Sequence, residues 1–304
     1  MATPSGTKKT WKRVDGVLLL DKPSGMTSNS ALQCARRMFS AAKAGHTGTL
    51  DPLATGLLPL CFGEATKFSA DLLEADKTYE ADLLFGVTTD TADAEGAVLE
   101  RRPVEFTPPQ LEEALAQYRG RISQIPPMYS ALKRDGKPLY ELARQGIEVE
   151  RQPREVIISE LQLLEHSGER CRLRVTCSKG TYIRTLAEDI GIRLGCGAHL
   201  TALRRTAVGA LRIDDAVTLD QLNALAEEDR CACLKAPDFL LQTLPAVYLA
   251  EESLLRFEHG NSVVVSLDDR PLPGKCRVYS SSRLLGVAEI DADGVLQPRR
   301  LVCA

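Results

Sequence analysis

Apolar residues fall in short runs broken by glycine, proline and polar clusters, a rhythm that suits a mixture of strands and helices. Residues 17–20 make the first strand, stopped by the turn Asp21-Lys-Pro-Ser-Gly25. Ser28 or Asn29 then caps a helix to about residue 39, with Leu32 and Met38 inward and Arg36 and Arg37 outward. The apolar run 57–62 is a strand, and a short helix is expected over 64–73. Residues 78–86 alternate, which places Tyr79, Ala81, Leu83 and Phe85 on one strand face. Residues 87–93 are polar and loop-like. Thr107-Pro-Pro-Gln110 opens a helix, with Thr107 as cap, proline in the first turn and Gln110 closing the capping box.

From 120 to 154 the pattern fades. Lys133, Arg134 and Lys137 stand near Tyr129 and Tyr140 there, with one short helix expected over 139–144. Loops this long inside a domain are usually functional. Strands over 155–164 and 171–177 follow, then a helix over 182–189 whose first turn carries Tyr182 and Arg184. Residues 200–210, with Arg204 and Arg205, read as a strand, and helices are expected over 219–228 and 231–241. Beyond Pro245 come β runs at 262–267, 275–279, 284–290 and 295–302, the last two joined by the hairpin turn Asp291-Ala-Asp-Gly294. The chain therefore divides into a loose basic arm (1–13), a large domain (14–245) with an insertion at about 120–154, and a small all-β module (246–304).

At 304 residues there is enough chain for one large domain and one small one. The net charge of −3 gives no overall attraction for a polyanion, so any nucleic-acid partner must meet local basic patches. Nine scattered cysteines, of which just Cys231 and Cys233 are close, suit small buried side chains in a reducing cytoplasm better than disulfides or zinc. The N-terminal arm carries Lys8, Lys9, Lys12 and Arg13 and lacks the apolar core of a signal peptide. No apolar run approaches the roughly 18 residues of a membrane span, so a cytoplasmic protein is expected.

The stretch Gly45-His-Thr-Gly-Thr-Leu-Asp-Pro-Leu-Ala-Thr-Gly56 organises the candidate chemistry. Its glycines permit close backbone approach, and Pro52 keeps Asp51 out of the helical region. Such an Asp is either a turn residue or a reacting group. His46, His166, His199 and His259 are isolated, so no metal site is expected. Walker, dinucleotide and Gly-x-Ser-x-Gly patterns are missing from the sequence, which removes nucleotide, nicotinamide and serine-hydrolase readings. An acid without cofactor remains, with Arg184, Tyr79, Tyr182, His46 and Lys22 as candidate neighbours. Pairing with an arginine favours the ionised form of an Asp, which can then act as nucleophile or base. Each neighbour also has a bland reading: half-buried aromatics, a surface arginine, a turn histidine, a solvated lysine.

Gly45–Gly56 closely resembles the signature of the TruB-type tRNA pseudouridine synthases. The resemblance extends, in order, to Leu18-Leu-Leu-Asp-Lys-Pro-Ser-Gly25, Lys77-Thr-Tyr79, Asp90-Thr-Ala-Asp93, Pro127-Met-Tyr-Ser-Ala-Leu-Lys133 and Ser178-Lys-Gly-Thr-Tyr-Ile-Arg184. Gly195-Cys-Gly-Ala-His-Leu200 and Leu203-Arg-Arg205 complete it, so it covers most of the large domain. It implies an α+β pseudouridine synthase fold: a mixed, largely antiparallel central sheet flanked by helices and loops. A PUA-like C-terminal module would follow, which Gly286, Gly294 and Pro298-Arg-Arg-Leu301 suit. It implies cofactor-free isomerisation of uridine 55 in the T loop of tRNA. Asp51 would be catalytic, Arg184 its ion-pair partner and Tyr79 the aromatic that stacks on the flipped uracil. Tyr182 would lie beside the base, Leu200 would wall the pocket, His46 would displace the target nucleotide, and Lys22 would sit at the pocket edge. The 120–154 insertion would close over the T arm.

Taking a base out of its stack costs a few kcal/mol. Phosphate contacts from Arg36, Arg37, Lys43, the insertion and Arg204–Arg205 are expected to offset that cost. Asp51 could then add to uracil C6, attack the sugar at C1′, or remove a sugar proton to give a glycal. The expected partner is the tRNA T stem-loop, met by a monomer with no obligatory protein or guide RNA. Two other readings compete: a non-catalytic RNA-binding or tRNA-folding protein, and a guide-RNA-dependent rRNA pseudouridine synthase.

Overall fold

The computed structural model describes residues 10–134, 136–265 and 271–303. Ten strands form one sheet: β1 (Gly16–Lys22), β2 (Ala44–His46), β3 (Thr55–Phe62), β4 (Lys77–Phe85), β5 (Gly120–Gln124), β6 (Arg154–Ser167), β7 (Arg170–Cys177), β8 (Ala198–Val208), β9 (Leu211–Arg212) and β10 (Val217–Thr218). Their order is β10-β1-β3-β8-β4-β7-β6-β5, with β2 on β3 and β9 on β8. Only β1–β10 and β3–β8 run parallel; the other pairs are antiparallel, as the sequence resemblance implied. Three helices flank the sheet: α1 (Ser28–Met38), α2 (Pro108–Ala116) and α3 (Ile183–Arg193). The core lies between them and the sheet, built from Leu18, Leu20, Leu32, Leu58, Leu83, Phe85, Leu111, Leu173, Leu186 and Ile190, all buried.

Strand β1 is longer than its apolar run suggests, because Asp21 and Lys22 continue its pairing with Leu57 and Gly56. Thr27, not Ser28 or Asn29, caps α1 by accepting from Ser30 N. Ser28 is instead drawn inward to hold the loop before β3. The expected helix over 64–73 is a 3₁₀ segment (Gly63–Phe68) followed by one α turn (Ser69–Glu74). Within the loop expected at 87–93, Val87–Thr89 pairs with Val98–Arg101 as a small hairpin.

The helix expected over 219–228 is two short pieces, Leu219–Ala224 and Glu227–Arg230. The one expected over 231–241 does not form. Pro237 would deprive its interior of a donor, and just the 3₁₀ turns Cys231–Cys233 and Pro237–Leu241 appear. The arm is tied down earlier than expected. Lys12 N donates to Ser40 O, Trp11 lies under the Arg36 guanidinium, and Lys12 and Arg13 pair with Glu227 and Asp15. Lys8 and Lys9 lie outside the described residues.

The last sheet has the order β11 (Ala246–Tyr248), β13 (Gly274–Ser280), β14 (Arg283–Ile290), β15 (Val295–Leu301), β12 (Val263–Val264). Phe257, on the helix α4 (Glu251–Glu258), packs with Cys276, Val278, Leu285, Ile290 and Leu296 in a core of its own. The expected hairpin turn forms, with Gly294 at φ +81°. The run at 262–267 is a strand just at Val263–Val264, and its last two residues lie outside the described part. Val287 joins this module to the large sheet by packing with Val17, Leu19, Leu57 and Leu240.

Candidate active site

Asp51 sits in the loop between β2 and β3, and four elements hold that loop. Ser28 Oγ accepts from Leu50 N at 2.7 Å and donates to Leu50 O at 3.0 Å. Gly25 N donates to Pro52 O, and Ser24 Oγ to Leu53 O. Lys22, with no solvent exposure, donates to the carbonyls of Pro23 (2.8 Å), Met26 (2.6 Å) and Pro52 (3.4 Å). Arg205 Nη2 donates to Gly48 O at 3.2 Å and Nε to Leu57 O at 2.7 Å. Gly56, at φ +100°, allows this approach: a Cβ there would stand 2.3 Å from Arg205 O.

The loop presents Asp51 to Arg184, the second residue of α3. Arg184 Nε meets Asp51 Oδ2 at 2.9 Å, and also faces Asp93 Oδ2 at 3.6 Å. Its two Nη atoms donate to Thr91 O (3.2 Å) and Tyr129 O (2.7 Å), so all three nitrogens of the fork are engaged. The arginine side chain is 5% exposed, that of Asp51 40%; the carboxylate is the member of the pair that opens to a ligand. Tyr79, on β4 opposite Arg205, lies beside its guanidinium. Asp51, Tyr79, Tyr182 and Arg184 line one open cavity of about 280 Å³, together with Ser130, Ser178, Leu203 and Arg205.

Burial raises the Asp51 carboxyl above the ordinary range; the Arg184 guanidinium pulls the other way, and Asp93 adds to the rise. The pairing with Arg184 favours the ionised form as expected, while desolvation shifts the carboxyl the other way and is the larger of the two effects. Burial also pushes the Tyr79 phenol up, against the nearby Arg205 charge. Burial lowers the Lys22 ammonium to about 8, with the Asp51 charge opposing. His46 is lowered by burial and by Arg205, which favours neutral imidazole.

Of the residues singled out in the sequence, Asp51, Arg184, Tyr79 and Tyr182 are brought together. His46 stands on β2 and Lys22 beneath the Asp51 loop, neither among the cavity-lining residues. Leu200 is buried in β8 opposite Leu83, with its N–H on Ala92 O; Leu203 is the β8 leucine that reaches the cavity. Arg205, expected to touch phosphate, is 1% exposed and holds the loop instead, and Arg204 is held by Asp21. Arg36 likewise donates to Ala41 O and Ala42 O.

Asp93 was missed as a site residue. Thr91 Oγ1 (2.6 Å) and Glu95 N (3.0 Å) fix its carboxylate against Arg184. The polar run Asp90-Thr-Ala-Asp93 carried the signal, since a second buried acid must meet a cation.

Residues 36–183 match the N-terminal domain of the TruB family of pseudouridylate synthases. Residues 184–245 match the C-terminal domain of tRNA pseudouridylate synthase B, and 245–302 the C-terminal region of pseudouridine synthase II TruB. A tRNA pseudouridine synthase B from Dechloromonas aromatica is 62% identical over 295 residues, which is 97% of this chain and 98% of the relative. The chain belongs to the TruB pseudouridylate synthase family. A tRNA pseudouridine synthase B from Burkholderia lata is 60% identical, over 95% of this chain and 90% of its own. Among solved structures, a Cbf5-Nop10-Gar1 complex matches with a TM-score of 0.69 at 24% identity, covering 92% of this chain and 79% of that one. An H/ACA RNP bound to a substrate RNA containing 2′-deoxyuridine matches at 0.70 and 21%, covering 95% and 85%. These two matches bear on the fold, which is that of the pseudouridine synthases with a PUA-like C-terminal module.

Proposed function

We propose that this chain converts uridine 55 of the tRNA T loop to pseudouridine, with Asp51 as the reacting carboxylate. The enzyme is a tRNA pseudouridine synthase by its family and relatives. The observation that carries the reading is the meeting of Asp51, Arg184 and Tyr79 in one open cavity. Isomerisation breaks the C1′–N1 bond and forms C1′–C5, and the C5 proton leaves as N1 gains one, so no outside oxidant or reductant is needed. The carboxylate faces the cavity while the guanidinium behind it is spent on Asp51, Asp93 and two carbonyls. That leaves Asp51 free to add to uracil C6, to attack C1′ or to take a sugar proton. Tyr79 offers its ring face to the base and its hydroxyl to the C5 proton; aromatic stacking adds about 1–3 kcal/mol per base. Tyr182 borders the base, and Leu203 joins the apolar wall for which Leu200 was expected.

The reading extends to the whole chain. Residues 14–245 form the catalytic domain and 246–304 a PUA-like domain. The chain acts as a monomer in the cytoplasm without guide RNA or an obligatory protein; among the described residues no helix is long and apolar enough to cross a membrane. The test is to incubate the pure protein with an unmodified tRNA transcript and to map pseudouridine. Formation at one T-loop uridine without added RNA or protein is expected. Asp51→Asn is expected to bind the transcript within about threefold of wild type and to form no product in single turnover; near-normal product would reject Asp51 as the reacting group.

A further inference from the structure

The segment Ser178–Tyr182 forms one wall of the cavity, and it is bound to β5 and β6, the two strands that take up the ends of the insertion expected at about 120–154 and leave residues 125–153 between them. Ser178 N donates to Ile157 O (2.8 Å), and Ile157 N donates to Ser178 Oγ (2.9 Å). Gln124 ends β5 and Arg154 begins β6, directly opposite one another in the ladder. Gln124 is 1% exposed, and both ends of its amide are used on one residue: Oε1 accepts from Tyr182 N (3.1 Å) and Nε2 donates to Tyr182 O (3.3 Å). Arg154 places its guanidinium carbon 5.2 Å from the centre of the Tyr182 ring. Its Nε and Nη2 are buried with no hydrogen-bond partner among the described residues, so the ring is what this cation meets. Gly180 leaves room for it, since a Cβ there would stand 3.2 Å from Arg154 Nη1.

From this juxtaposition we infer that Gln124 and Arg154 are positioning residues that couple the insertion to the catalytic pocket. They fix the backbone and ring of Tyr182, and Arg184 follows two residues later on the first turn of α3. The insertion also touches Arg184 itself, through Tyr129 O on Nη2. The placement of the insertion is thus tied to both ends of the Tyr182–Arg184 unit, and through Arg184 to the Asp51 carboxylate. A buried amide whose donor and acceptor both serve one backbone unit fixes orientation more tightly than packing does. A cation over an aromatic face is directional in the same way.

The inference rests on the proposed isomerase reading, and the wild-type protein keeps the two apart: if wild type forms no pseudouridine, that reading fails. With an active wild type, single-turnover rates at saturating enzyme and transcript affinities by filter binding are measured for Gln124→Ala, Arg154→Ala and Arg154→Lys. Thermal unfolding is recorded alongside. Arg154→Ala and Gln124→Ala are expected to slow the saturated rate by about tenfold or more, with affinity within about threefold. Arg154→Lys, which keeps a cation over the ring, is expected to recover most of the rate. In a Tyr182→Leu background, Arg154→Ala is expected to change the rate by less than about twofold, because the ring it acts through is gone. Weaker transcript binding at an unchanged saturated rate would make Arg154 a phosphate contact and overturn the inference. An undiminished rate loss in the Tyr182→Leu background would overturn it as well.

Discussion

Replacing Lys22 by methionine isolates the electrostatics of the catalytic loop. The Lys22 ammonium is buried and engaged by three carbonyls, and burial lowers it from 10.5 to about 8. A difference of that size corresponds to about 3 kcal/mol against the charged form in the folded state. Below about pH 8 both folded and unfolded chains hold the proton, and the penalty is present in full. Between about pH 8 and about pH 10.5 the unfolded chain keeps its proton while the folded one has lost it, so stability rises with pH through this window. Lys22→Met lacks the titration. It also leaves the carbonyls of Pro23, Met26 and Pro52 without their donor, at about 1–3 kcal/mol for each that stays dry. At neutral pH relief of desolvation and loss of hydrogen bonds act in opposite directions, with the loss the larger if all three carbonyls stay dry, so the diagnostic is the slope and not the absolute difference. Urea unfolding of both proteins, followed by circular dichroism, should show the wild-type advantage growing by about 2 kcal/mol from about pH 7 to about pH 9.5. A constant difference across that range would mean that the ammonium is solvated and not buried beneath the Asp51 loop.

Arg184→Lys replaces a fork bound at both ends by a point charge, and the single-turnover rate should fall about a hundredfold while transcript affinity holds; an unchanged rate would show that the ion pair has no part in the chemistry. If Asp51 reacts as the carboxylate, activity is lost as pH falls through its raised folded value. Asp93→Asn removes the like charge that adds to the rise, so the acid limb of the rate profile should move to lower pH; a limb that stays or moves upward contradicts this. Gly56→Ala places a Cβ 2.3 Å from Arg205 O at a positive φ, and thermal unfolding should report about 3 kcal/mol or more of lost stability.

The strands of the site were legible where the pattern was regular. Residues 78–86 alternate, and Tyr79 stands on the face that alternation assigned. Thr107-Pro-Pro-Gln110 forms the expected capping box. The Asp51 loop was legible from its glycines and proline, whose φ requirements are local. Lys22 and Arg205 were misjudged for the opposite reason. A sequence gives a lysine or an arginine no mark that it will be buried, and here the partners are carbonyls up to 157 residues away. The failed helix over 231–241 is a different case: Pro237 was legible in the sequence as a helix breaker, and the apolar spacing was given more weight than it. The net direction at Asp51 also lay beyond the sequence, since desolvation depends on what packs around the pair and not on the pair itself.

The parallel joint between β3 and β8 consists of two register pairs, Thr55 with Arg204 and Gly56 with Arg205. It unites parts of the chain 149 residues apart. The acid comes from one side of that joint; its guanidinium partner and the tyrosines come from the other. A growing polypeptide on the ribosome thus has no working centre until its third quarter has emerged and found its place beside the first. Closing so wide a loop is slow and entropically costly, so the pocket should be among the last features to mature. Prematurely terminated products would then carry the signature loop yet be unable to alter RNA.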